Sequence, residues 1–105
     1  MKEITPTELK QRLDKGEDIT IIDIRESYEY DLSNIGGIHI PMYSLLARLD
    51  EIPHDKPVVL HCRSGSRSSS AIMELERRHG FNNLYNLKGG IIAWANEIDP
   101  SIAKY

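Results

Sequence analysis

Apolar and polar positions along the chain fall into short blocks whose period alternates between helix and strand. Thr5-Pro6-Thr7-Glu8 supplies an N-cap, a proline at the first helical position and a capping-box glutamate. A helix is predicted from there to about Lys15, with Leu9 and Leu13 on one face and Gly16 ending it. Ile19-Thr20-Ile21-Ile22-Asp23-Ile24 is β-branched and nearly all apolar, the pattern of a strand buried on both faces. A short helix is predicted over Glu26–Leu32, after which Gly36-Gly37 break the chain before another short strand, Ile38–Ile40. Ser44–Leu49 reads as one or two helical turns stopped by Pro53, and Val58-Val59-Leu60-His61 as a further buried strand. Helical period resumes with Ser68, Ile72, Leu75 and His79 on one face. Gly80 stands at C′ and Phe81 is placed to pack back on Leu75. Leu84–Leu87 is the next strand, Gly89-Gly90 a tight turn, and Ile91–Glu97 a last helix carrying Trp94.

Strands alternating with helices predict an α/β fold: one domain over residues 1–105, built on a mostly parallel sheet with helices on both faces. In such sheets ligands bind beyond the carboxyl ends of the strands. Cys62 occupies that position after Val58–His61.

Composition narrows the chemistry. The chain has 105 residues, 40% of them apolar and 28% charged, with a net charge of −3 and its acids and bases interspersed. That balance argues against nucleic acid or an anionic membrane as partner. No apolar run approaches the ~20 residues of a membrane span. Met1–Pro6 lacks the hydrophobic core of a signal peptide, so a cytoplasmic protein is expected. The single cysteine excludes an internal disulfide and an internal resolving thiol. His61 and Cys62 are the one adjacent pair of soft ligands, and on a strand they point to opposite faces. His39, His54 and His79 show no ligand spacing, so neither a metal nor another cofactor is expected.

The stretch His61-Cys62-Arg63-Ser64-Gly65-Ser66-Arg67-Ser68 gives that one thiol polar, cationic company. Cys62 closes a strand and a helix begins at about Ser66–Ser68. The intervening backbone N–H groups therefore curl toward one point above the positive end of the helix. Gly65 permits the positive φ such a nest needs. These donors, with Arg63 or Arg67, favour an anion at sulfur and predict a thiol more acidic than the free value of about 8.5. The product is a thiolate in a cradle for small anionic sulfur, phosphorus or arsenic species.

At this point the sequence resembles a single-domain rhodanese over essentially its whole length. The likeness is carried by Ile4-Thr5-Pro6-Thr7-Glu8-Leu9, Ile22-Asp23-Ile24-Arg25-Glu26 with Glu29-Tyr30, and Ile40-Pro41. It continues through Cys62–Ser68 and Asn86-Leu87-Lys88-Gly89-Gly90-Ile91 with Trp94. The resemblance implies a five-stranded parallel sheet and a sulfurtransferase whose cysteine carries sulfur as a persulfide. It implies a small anionic donor such as thiosulfate, and a thiol, cyanide or protein as acceptor. Family members also serve as non-catalytic regulatory modules, a use normally marked by loss of the cysteine. Where many members read Gly-His-Ile-Pro-Gly-Ala, this chain has Ser33-Asn34-Ile35-Gly36-Gly37, which predicts altered loop packing. The tail Ile98-Asp99-Pro100-Ser101 resembles rhodanese domains fused to sulfur-carrier-activating enzymes.

Ring size separates the chemistries such a cradle supports. Phosphatases resembling rhodaneses use Cys-x5-Arg, whereas Cys62 and Arg67 have four residues between them. One residue less removes up to about 3.5 Å of chain, which suits one extra sulfur better than a tetrahedral phosphate. Phosphatase or arsenate-reductase chemistry is the runner-up. Cys62 is the candidate catalytic residue, and Arg63, Ser64, Gly65, Ser66 and Arg67 the candidate substrate-binding set. Arg63 is expected to hold the donor's oxyanion. Arg67 has two options, to face the site or to turn away, pair with a carboxylate and brace the loop. Asp23 and Arg25 are expected behind the loop, with Arg25 and Glu29 forming a structural ion pair. Trp94 and Tyr30 read as core, and His61 as a strand residue rather than a general base.

Overall fold

Thr5 and Glu8 open the first helix by the reciprocal pair of hydrogen bonds that a capping box requires. In the computed structural model, which describes residues 1–102, the elements follow as β1 (Glu3–Ile4), α1 (Pro6–Asp14), β2 (Thr20–Asp23), α2 (Ser27–Leu32) and β3 (Ile38–His39). A 3-10 segment (Met42–Glu51), β4 (Val58–His61), α3 (Ser66–Arg78), β5 (Leu84–Leu87) and α4 (Gly90–Glu97) complete it. The five strands form one sheet in the order β1-β5-β4-β2-β3, every pairing parallel.

Alternation along the central strand divides the core. Val58, Leu60 and Cys62 join Ala71, Ile72 and Leu75 of α3 and Leu45 of the 3-10 segment in one apolar cluster. Val59 joins Leu9 of α1 and Trp94 of α4 in another. The helices therefore cover both faces, as the period change along the sequence predicts. α3 ends as expected: the Phe81 N–H reaches the Leu75 carbonyl at 3.4 Å, and Phe81 is buried in the same cluster as Leu75.

Three local differences have physical causes. The apolar run Ile19–Ile24 is buried only in its carboxyl half, since Ile19, Thr20 and Ile21 remain half-buried beside the two-residue edge strand β3. The turns predicted over Ser44–Leu49 extend to Met42–Glu51 but are 3-10 in type, with Arg48 at non-helical φ −127°. β1 has no counterpart among the strands read from apolar pattern. Two residues carry no period, and β1 exists through pairing of Glu3 and Ile4 with Asn86 and Leu87.

Candidate functional site

Cys62 follows β4 at the carboxyl edge of the sheet, where the chain turns into α3. Two helix N-termini shape this turn. The N–H groups of Ile91 and Ile92, in the first turn of α4, donate to the Cys62 and Arg63 carbonyls at 3.0 and 3.1 Å. Those carbonyls satisfy donors that a helix start otherwise leaves unpaired. Holding the carbonyls toward α4 leaves the loop N–H groups free to face the sulfur. Gly65, at φ 109°, caps α3 and donates its N–H to Cys62 Sγ at 3.1 Å. Ser68, one turn into α3, sets its Oγ 3.4 Å from Sγ.

The thiol is therefore buried and activated at once: Cys62 is 1% exposed and belongs to the apolar cluster, yet its sulfur faces donors. Burial pushes the thiol up. The Ser68 hydroxyl and the N–H groups of Ser68, Gly65 and Ser64 together outweigh burial and hold it below its ordinary value.

The remaining candidates separate into mouth and frame. Arg63, Ser64 and Ser66 are exposed around the loop, and among the described residues no carboxylate pairs with Arg63. Arg67 takes the second of its two options. Its guanidinium forms a two-pronged pair with Glu29 of α2, at 2.7 and 3.0 Å. The Arg67 hydrogen bond, chiefly, holds the Glu29 carboxyl below the usual range. Asp23 and Arg25 lie fully buried at the end of β2, joined by hydrogen bonds of 2.7–3.1 Å. Arg25 also donates to the Ser33 carbonyl at 2.7 Å, so the segment that departs from the family pattern is tied to this buried pair. The expected ion pair of Arg25 with Glu29 is revised: Arg25 forms its salt bridge with Asp23, two residues away, while Glu29 is engaged chiefly by Arg67, with Arg25 adding a smaller attraction. Tyr30 stacks on His39 with ring centroids 4.5 Å apart, and Trp94 is buried.

Three residues do more at the site than their sequence pattern indicates. Ser68 was placed on a helix face and within the polar stretch but given no role at the sulfur, although helical side chains lean back toward the N-terminus and so toward the loop. Asn86 appeared only within a family stretch. Its place on β5 shares the face of Leu84 and Cys62, and a polar residue at such a position is itself a signal. Asn86 donates to the Gly65 carbonyl at 3.1 Å and meets Ser68 Oγ at 2.6 Å. Gly90 was read as part of a tight turn beside the cysteine loop, without the close approach itself. A methyl group there would meet the backbone of Arg63 and Cys62, 2.7 Å from the Cys62 oxygen.

His61 sits behind the thiol on the opposite face, fully buried, with Nδ1 3.3 Å from the Cys62 carbonyl and Nε2 3.6 Å from Asp23. Burial, the largest influence, holds it well towards the neutral form; the attraction of Asp23 is outweighed. The sign of the pH effect follows. Below the ordinary imidazole value of about 6.5 the unfolded chain binds a proton that the folded chain refuses. Stability should thus fall as pH drops from 7 to 5.5. At lower pH, loss of the Glu29 carboxylate adds to the decline in the same direction. Thermal melts across this range should show a falling Tm, and His61→Gln should flatten the slope above pH 5.5. A Tm that holds steady or rises would contradict this assignment.

The result is a parallel α/β sheet with one buried cysteine in a strand-to-helix loop, its sulfur facing the Gly65 N–H and the Ser68 hydroxyl. The chain belongs to the rhodanese-like domain family, whose profile matches residues 5–97. It is 40% identical over 104 residues to a sulfurtransferase of Allochromatium vinosum, covering 98% of this chain and 96% of that protein. It is 36% identical over 105 residues to the probable adenylyltransferase/sulfurtransferase MoeZ of Mycobacterium tuberculosis, covering 97% of this chain but only 26% of that protein. Among solved structures, a rhodanese-like domain protein from Staphylococcus aureus superposes with a TM-score of 0.84 at 27% identity, covering 100% of this chain and 99% of that one. Among the described residues, no helix is long and apolar enough to cross a membrane, and no group of three or more histidine, cysteine or acidic side chains is placed to hold a metal.

Proposed function

We propose that the chain moves sulfane sulfur from a donor such as thiosulfate to a thiophilic acceptor through a persulfide on Cys62. In the first stage the thiolate attacks the donor's outer sulfur. The new Sγ–S bond forms as the donor's S–S bond breaks, and sulfite leaves with the electron pair. In the second stage cyanide, a small thiol or a thiol of an acceptor protein attacks the outer sulfur, and Sγ leaves as thiolate. No external oxidant or reductant enters the cycle. The observation that carries this reading is the short approach of the Gly65 N–H to Sγ inside a loop whose carbonyls are held elsewhere by α4. The loop N–H groups would stabilise negative sulfur in both stages. Engagement of Arg67 by Glu29 favours sulfur over phosphate, because the arginine that follows the ring is already paired. The sulfurtransferase relative of matching length supports the same class of reaction. A thiol that must be regenerated in every cycle suits a reducing compartment such as the cytoplasm.

Arg63, which pairs with no carboxylate among the described residues, is assigned to the donor's oxyanion. Arg63→Ala should raise KM for thiosulfate about tenfold, the loss expected for one charge-assisted contact at an exposed site. The rate at which cyanide discharges the preformed persulfide should stay within about twofold, since cyanide offers no oxyanion for that contact. Equal losses in the two stages, measured by stopped-flow on loaded and unloaded protein, would show that Arg63 supports the loop and not the donor.

A further inference from the structure

The polar contacts beside Cys62 admit one assignment of protons. The Gly65 carbonyl can only accept, so the amide nitrogen of Asn86 faces it, 3.1 Å away. The amide oxygen then faces Ser68 Oγ at 2.6 Å and also can only accept. The single hydroxyl proton of Ser68 therefore lies on the line to Asn86, the shortest of its three contacts. Gly65 O stands at 3.3 Å and Cys62 Sγ at 3.4 Å. Ser68 is fully buried and Asn86 is 5% exposed, so solvent has little access to either partner.

This arrangement suits a protonated thiol, which donates its S–H to the Ser68 oxygen. It does not suit a thiolate, which would face an oxygen lone pair. Stabilising the thiolate requires the Ser68 proton to swing from the Asn86 oxygen to the sulfur. We propose that Asn86 is a positioning residue that sets how readily Cys62 ionises, by competing with the sulfur for the one proton of Ser68. When Sγ carries an outer sulfur its negative charge has moved outward, and the proton returns to Asn86. Ser68 thus follows the charge on Sγ through the cycle. Among the groups that draw the thiol down against burial, the Ser68 hydroxyl is the largest, and it acts only in the orientation that Asn86 opposes.

The charged and titratable groups about the thiol are Arg63 and Arg67 on its own loop, Glu29 of α2 against Arg67, and His61 with Asp23 and Arg25 behind it. Substitution at 68 or 86 leaves all of their charges in place. The proposal rests on Cys62 being the reactive thiol, but its test reads ionisation and not sulfur transfer. A failure of the sulfur-transfer reading would instead appear as a normal alkylation profile with no persulfide.

Iodoacetamide alkylation against pH, in a four-protein cycle of wild type, Asn86→Ala, Ser68→Ala and the double variant, tests it. Asn86→Ala should lower the midpoint by about half to one pH unit, because a charge-assisted bond to sulfur no longer competes with a neutral one. Ser68→Ala should raise the midpoint. In the Ser68→Ala background, alanine at 86 should change the midpoint by no more than about 0.3 of a pH unit. An unchanged or raised midpoint in Asn86→Ala would overturn the proposal. So would an equal fall with and without Ser68, which would place the effect in loop shape. If Asn86→Ala does not melt cooperatively, Asn86→Ser, too short to reach Ser68, replaces it in the cycle with the same outcomes.

Discussion

Replacing Cys62 by serine should abolish sulfur transfer while leaving a folded protein. The thiol is the only cysteine, and the hydroxyl that replaces it is neither ionised near neutral pH nor thiophilic. Turnover with thiosulfate and cyanide should fall by at least about four orders of magnitude, as expected when a covalent nucleophile is removed. Stability should drop by only about 1–2 kcal/mol. A smaller, more polar group enters a buried position, but the Gly65 N–H and Ser68 Oγ remain there as partners. A modest loss of Tm is thus expected even though Cys62 is the proposed nucleophile, because this cysteine is also part of the core. Assays of turnover beside a thermal melt check both halves. Retained turnover would remove Cys62 from the mechanism.

The second large effect is expected from a residue with no functional group. Gly90 starts α4 at φ 60°, directly against the backbone that carries the thiol. A methyl group there would lie 2.6 Å from the Arg63 carbonyl carbon and 2.7 Å from the Cys62 oxygen. Backbone on that side cannot rotate away as a flexible side chain would. Gly90→Ala should cost about 3 kcal/mol or more, from the left-handed conformation and the displacement of the loop together. The displacement would weaken the Ile91 and Ile92 bonds that hold the loop carbonyls off the sulfur. Transfer rate should therefore fall at least about a hundredfold at temperatures where the variant is still folded. Alkylation should show a less acidic thiol in the same variant. Wild-type rate and Tm in Gly90→Ala would refute the close-approach account of the cradle.

What the sequence revealed divides along the range of the contacts involved. α1 was legible because Thr5, Pro6 and Glu8 state its start locally, and β4 because Val58–His61 is an apolar run with a turn after it. The nest was legible for the same reason: Cys62 to Ser68 are consecutive, and a strand-to-helix turn with glycine aims its own N–H groups. β1 was not legible from pattern, since Glu3 and Ile4 become a strand only beside β5, over eighty residues away in sequence. The 3-10 character of Met42–Glu51 depends on how Leu45 seats in the core, which its spacing does not encode. In the site, the assignments left open or missed are the long-range ones. Arg67 meets Glu29 across 38 residues, and Ser68 meets Asn86 across 18. Arg25 was expected to pair with Glu29 because Glu29, four residues on, looked like a helical neighbour. The strand end folds the guanidinium back onto Asp23, which takes its salt bridge.

Intact-protein mass spectrometry before and after thiosulfate decides whether Cys62 carries the transferred sulfur. One added sulfur atom per chain is expected, mapped to the peptide that contains Cys62, removed by cyanide with release of thiocyanate, and absent from Cys62→Ser. Continued consumption of thiosulfate by a protein that never acquires sulfur on Cys62 would contradict it.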